Sequence, residues 1–119
     1  MNTRLSLAVL SATALLLCQS AIAHHALSAN YDTDNIGTIE GVVVEVFWSN
    51  PHVHYYMEVE NEAGETELWD IETSNLANLM RTGWSRDMIE VGDRIRISGH
   101  LGRNGTKRLE LDRESLEKL

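Results

Sequence analysis

Four of the five histidines stand in two close pairs, His24-His25 and His52-x-His54. Paired imidazoles are first of all metal chemistry. An all-nitrogen donor set suits Cu(II) best, then Ni(II) and Zn(II). His52 and His54, two residues apart at the start of a predicted strand, point to the same side of it. Glu58, farther along on that side, can add a carboxylate. His24 becomes a stronger donor if the chain is cut just before it. The new α-amine titrates near neutrality and closes a chelate ring with the His24 imidazole, while His25 supplies another nitrogen. Position three after such a cut is Ala26 rather than His, so the usual amino-terminal copper motif is absent.

The same residues have plain structural readings. A terminal dipeptide is commonly solvated, His52 beside Asn50-Pro51 can be a turn residue bonded to backbone, and His54 can be an exposed strand residue. Convergence of the two pairs on one site is the most demanding of the metal readings. His100, alone near a turn, reads as solvated. Trp48, Trp69 and Trp84 read as residues that close a barrel and dock a helix. No catalytic set stands out. Ser74, Ser85 and Ser98 lack a matching His and Asp spacing, no glycine-rich phosphate loop is present, and no carboxylate pair can be singled out. The expectation is a protein that is not an enzyme.

The cut before His24 is itself encoded. Arg4 precedes a charge-free run from Leu5 to Cys18, and Ala21-Ile22-Ala23 supplies the small-x-small pattern read by signal peptidase. The run is short for a membrane-spanning helix. Residues 1–23 therefore read as a removable secretion signal, and the expected location is the periplasm or outside the cell. Cleavage leaves 96 of the 119 residues and removes Cys18, the only cysteine. With 9 basic against 18 acidic side chains, the mature chain has a formal charge of −9. Such acidity repels phosphate backbones, so nucleic acid is excluded as a partner on this reasoning. A metal ion, a small ligand or an envelope protein remains.

Strands are needed to hold the histidines. Ile36 to Trp48 is rich in β-branched residues, with Val42, Val44, Val46 and Trp48 on one face at period two. Gly41 within it suggests a bend or bulge. Ser49-Asn50-Pro51 is a turn, and the next strand places Val53, Tyr55, Met57 and Val59 on one side and His52, His54, Tyr56 and Glu58 on the other. Asn61 to Gly64 turns the chain into a third strand, Thr66 to Thr73. Ser74 can cap a short helix through Arg81, and Gly83 suits the position after its end, with Trp84 folding back on Leu79. Arg94 to Leu101 alternates as a fourth strand, and a turn at Gly102 to Gly105 leads to a fifth carrying Leu109 and Leu111.

Five strands with one helix between the third and fourth is the order of an OB-fold, a small Greek-key barrel. The expected organisation is an N-terminal arm over residues 24–35, the barrel over 36–112 and a charged, helix-prone tail over 113–119. In such barrels the first loop and the second and third strands form the usual ligand surface, which is where His52 and His54 fall.

The mature start from His24 to Asp32 resembles that of a family of small exported bacterial proteins of unknown function. Members begin His-His-(Ser/Ala)-Phe and continue to a Gly-x-Val strand, a Trp-x-Asn-Pro-His turn and an Arg-x-Gly-Trp helix end. The matching residues are Gly41-Val42-Val43, Trp48-Ser49-Asn50-Pro51-His52 and Arg81-Thr82-Gly83-Trp84. His24, His25 and His52 match the family pattern. His54 stands where members more often have an aromatic or aliphatic residue, and Leu27 where Phe is usual. The resemblance implies an exported single domain with no assigned reaction. The expected function is thus an exported binding module that takes a transition metal such as copper through His24, His25, His52 and His54. The alternative is a metal-free interaction module of the cell envelope.

Overall fold

A computed structural model describes residues 27–119. Residues 1–23, where a secretion signal is expected, and the His24-His25 pair lie outside the described residues. The strands are β1 (Tyr31–Phe47), β2 (His54–Glu60), β3 (Thr66–Glu72), β4 (Arg94–Gly102) and β5 (Arg108–Lys118). Helix α1 (Leu76–Arg81) lies between β3 and β4, and a short 3-10 turn, Arg103–Gly105, joins β4 to β5. The strands close into a barrel in the order β1-β2-β3-β5-β4. All neighbours are antiparallel except β3 and β5, which run parallel through Asp70↔Arg108, Ile71↔Leu109 and Glu72↔Glu110. This is the five-stranded OB-type barrel expected from the order of elements.

Alternation fills the barrel. Val53, Tyr55 and Met57 from β2 and its approach, Ile71 from β3, Ile95 and Ile97 from β4, and Leu109 from β5 are fully buried. Leu79 of α1 and Ile89 of the following loop join the same cluster. Trp84 is buried with them, its backbone N–H donates to Leu79 O (2.9 Å), and its indole Nε1–H donates to the Tyr55 hydroxyl (3.1 Å). The aromatic thus folds back on the helix as its position after Gly83 predicts. Closing the sheet on itself also removes unpaired strand edges.

Five local expectations change. On β1, Val43 is fully buried and points inward, whereas Val44 is exposed. A bulge between Val43 and Glu45 resets the alternation, so that Val46 and Trp48 pack on the core beyond it. The expected common face of Val42, Val44, Val46 and Trp48 is therefore broken at the bulge, where one extra residue shifts every later side chain. Gly41 is not the bulge. It is the point where β1 approaches β2 so closely that a Cβ would stand 2.3 Å from the Glu58 carbonyl oxygen.

The strand limits also differ. β1 starts at Tyr31 rather than Ile36, pairing with Gly102. The segment after Arg113 is strand, not helix: beyond an irregularity, Glu117 pairs with Arg96 and Lys118 with Ile95. Its charges, which suggest helical spacing, are used across strands, in Arg96 Nη1–Glu117 Oε2 and Lys118 Nζ–Asp93 Oδ2, both at 2.7 Å. Finally, Asn75 rather than Ser74 caps α1, accepting from Asn78 N at 2.8 Å. Asn50, from the turn before β2, accepts from Leu76 N at 3.1 Å and so ties that turn to the helix start.

Candidate functional site

The β2–β3 hairpin sets the site. Its register pairs His54 with Glu72 and Tyr56 with Asp70. Directly opposed residues share a face. Since Tyr55 and Ile71 point into the barrel, these four stand on its outside. The ladder continues past the end of β2 through Val53 N→Ser74 O and Thr73 N→Val53 O, both at 3.0 Å, which keeps His52 in phase with His54.

Each imidazole is held by a carboxylate. His52 Nδ1 lies 2.5 Å from Glu72 Oε1, and His54 Nδ1 lies 2.6 Å from Asp70 Oδ1. An ionised carboxylate only accepts, so Nδ1 is the donor, and in the neutral ring this assigns the lone pair to Nε2. A histidine whose Nδ1–H is anchored on a carboxylate is the arrangement that orients imidazole ligands and raises their basicity in metal sites. The His54 ring is steadied from the side as well. Phe47 meets His54 edge-on at 6.4 Å between centroids, and Tyr56 lies nearly parallel to it at 6.3 Å.

Behind the carboxylates stands Arg108, brought opposite Asp70 by the parallel β3–β5 register. Its Nη2 donates to Glu72 Oε2 at 3.3 Å. Its Nε lies 3.4 Å from Asp70 Oδ2, an ion contact without hydrogen-bond geometry. The buried Tyr31 hydroxyl donates to Glu72 Oε2, and the guanidinium lies over the Tyr31 ring, 5.5 Å from its centre. Burial works to raise the Glu72 pKa, but hydrogen bonds from Tyr31 and His52 and the neighbouring imidazoles outweigh it and hold the carboxyl below the usual range. Tyr31 is pushed strongly up, first by burial and then by the Glu72 carboxylate it donates to. The phenol therefore stays a donor throughout ordinary pH.

Of the residues predicted to act, His52 and His54 come together on one face. His24 and His25 lie outside the described residues. Glu58 is not brought to the imidazoles; it pairs with Leu68 and Val42 two rungs away. Asp70, Glu72, Arg108 and Tyr31 were missed. The first two leave a trace in the sequence: Asp70-x-Glu72 faces His52-x-His54 across a hairpin whose turn is marked by Asn61 and Gly64, so counting back from the turn brings them together. Arg108 and Tyr31 arrive through long-range pairing that leaves no such mark. His100 is not simply solvated: its Nδ1 lies 2.7 Å from Glu110 Oε2, so all three described histidines are anchored alike. Among the described residues, no group of three or more His, Cys, Asp or Glu side chains is arranged to hold a metal ion. A metal on this face would therefore take two imidazole nitrogens and complete its shell from water or other donors.

A family model described as a family of unknown function, DUF6152, matches residues 12–110. No curated protein matches the chain. Among solved structures, a mitochondrial single-stranded DNA-binding protein from S. cerevisiae is similar with a TM-score of 0.51 at 14% identity, covering 71% of this chain and 93% of that one. The N-terminal domain of PriB protein from Thermoanaerobacter tencongensis is similar with a TM-score of 0.51 at 19% identity, covering 72% and 97%. At these identities the likeness is one of fold. It overturns the exclusion of nucleic acid drawn from net charge, because a barrel of this architecture does serve a single-stranded DNA-binding protein. Net charge is a sum that hides distribution: between Arg94 and Leu109 the chain carries Arg94, Arg96, Arg103, Lys107 and Arg108 and no Asp or Glu.

Proposed function

We propose a metal-binding role for this chain, which belongs to DUF6152, a family of unknown function: an exported binding module that takes a divalent transition metal, Cu(II) before Zn(II), through imidazole nitrogens. The observation that carries the reading is the carboxylate on Nδ1 of both His52 and His54, at 2.5 and 2.6 Å. In the neutral form of each ring it leaves Nε2 as the lone-pair nitrogen, on the strand face where barrels of this type take ligands. Export rests on the signal pattern ahead of Ala23, and cleavage there gives His24 a free amine as a second, separate nitrogen donor set. Nitrogen donors without thiolate favour copper over its neighbours in the first-row series.

The test is calorimetric titration of the chain beginning at His24 with Cu(II) and Zn(II). Two variants run beside it: His52→Ala/His54→Ala, and a chain with one alanine added before His24. Loss of a binding event in the double variant supports the strand-face site, and loss on adding the alanine supports the amino-terminal one. Copper affinity no tighter than that of a generic peptide, unchanged in both variants, removes the metal reading and leaves the metal-free interaction module. A single-stranded oligonucleotide titrated under the same conditions decides directly whether nucleic acid belongs among the ligands.

A further inference from the structure

A concavity that shares no lining residue with the imidazole face lies beneath the turn joining β4 to β5. It has a volume of about 300 Å³, the lower end of the range for small-molecule sites. One wall is Trp69, whose Nε1–H is buried near Glu67 without a hydrogen bond of ordinary geometry. Lys107 Nζ sits 5.5 Å from the Trp69 ring centre, and Arg103 brings a second cation. The opposite rim, from the start of β1, carries Asp32 and Asn35.

The turn backbone is shaped for an anion. Asn104 adopts left-handed angles (φ 57°, ψ 31°) after Arg103, and Gly105 follows at φ 71°. Successive amides in this helical-to-left-handed sequence form a concave nest of N–H groups that accepts anionic oxygens. Lys107 is currently engaged by Glu67 at 3.1 Å, but both side chains reach solvent, at 48% and 26% exposure. Such pairs contribute little and exchange readily. An incoming anion can take the ammonium and leave the Trp69 face for a ring. Asp32, whose Oδ1 accepts from Asp34 N at 3.2 Å, can then accept from a hydroxyl or amine of that ring and opposes a second negative charge on its own side.

We propose that this cavity binds a phosphate monoester carried on a ring, with the phosphoryl group on the turn amides and Lys107 and the ring against Trp69. A nucleotide and a sugar phosphate share this chemistry. The site is independent of the imidazole face and of any metal there.

The experiment is a titration of the ¹⁵N-labelled chain beginning at His24 with adenosine monophosphate, glucose 6-phosphate and inorganic phosphate up to millimolar levels. The Trp69 indole N–H and the amides of Asn104 and Gly105 are followed. At least one ring ester is expected to shift these three signals together, more tightly than inorganic phosphate, and the tighter ester identifies the source. Lys107→Ala is expected to weaken that binding about tenfold, the scale of one charge-assisted hydrogen bond, and to leave Cu(II) titration of the imidazole face unchanged. Inorganic phosphate binding as tightly as both esters overturns the role of the ring. Absence of shifts at millimolar ester, shifts centred on His52 and His54 instead, or an unaltered affinity in Lys107→Ala overturns the site.

Discussion

The two faces of the β2–β3 hairpin are built by the same fourteen-residue pair of strands and obey opposite rules. Inside, Tyr55, Met57 and Ile71 are wholly buried, and the Tyr55 hydroxyl accepts from Trp84. Outside, one rung away, His54, Tyr56, Asp70 and Glu72 carry imidazoles, carboxylates and a phenol joined to Arg108 and Tyr31. The interior is stabilised by area removed from water, a term that does not depend on direction. The exterior depends on directional contacts among half-buried charges, which gain from pairing but lose heavily when one partner is removed. Stability should therefore reside mainly inside and pH response mainly outside.

The largest test of that division is Ile71→Ala. It empties part of a core with no exposed flank and should cost about 2–5 kcal/mol, as core truncations of this size do. Urea unfolding of the chain beginning at His24 measures it. A cost below that of the outer-face substitutions that follow would break the comparison.

Glu72→Gln comes next and sharpens the outer half. The carboxylate receives Tyr31, His52 and Arg108, and its side chain is only 16% exposed. Losing its charge should cost about 1–3 kcal/mol at neutral pH, the scale for hydrogen bonds to a charged group. The sign with pH follows from its lowered pKa. A carboxyl that ionises more easily folded than unfolded contributes fully above the ordinary Glu value of about 4.3, and the contribution disappears as pH falls through the lower folded value. The difference in urea midpoint between the natural chain and Glu72→Gln should therefore narrow between neutral pH and acid. A difference that stays constant over that range would show that Glu72 acts by shape rather than by charge.

The same contrast explains what could be read in the sequence. The inner face follows from period-two apolar residues at Val53, Tyr55, Met57 and Val59, and from turn residues that fix where each strand starts and stops. These are local signals, and with the five-strand order they suffice for the barrel. β1 escaped because a single bulged residue at Val44 reverses the alternation without changing composition. The end of β5 escaped because Glu114, Glu117 and Lys118 are spaced as a helix would space them, while Glu117 pairs with Arg96 and Lys118 with Asp93, more than a whole strand back in the chain. On the outer face the histidines were visible by type. Their anchors at Asp70 and Glu72 needed the hairpin register, and Tyr31 and Arg108 needed the closure of the whole barrel. Net charge was the least informative quantity, since it averaged the basic β4–β5 turn into an acidic whole.

Glu40→Ala is the smallest expected effect and the sharpest limit on the outer half. Glu40 resembles Glu72 on paper: Arg94 donates to its Oε1 through Nε at 3.0 Å and Nη2 at 2.7 Å, and Arg96 donates to Oε2 at 3.1 Å. The Arg94 hydrogen bond, against a smaller opposing effect of burial, lowers its pKa as well. The difference lies in the surroundings. Glu40 stands among exposed partners, with Arg94 at 60% and Arg96 at 44% exposure, whereas Glu72 is largely buried and receives the hydroxyl of the buried Tyr31. Water and salt screen the first cluster and not the second. Glu40→Ala should move the urea midpoint less than Glu72→Gln, and the small shift should shrink further when salt is raised to the molar range. If Glu40→Ala matched Glu72→Gln and resisted salt, the number of contacts rather than their shielding would govern this surface. The distinction between the imidazole face and the rest of the barrel's exterior would then fall.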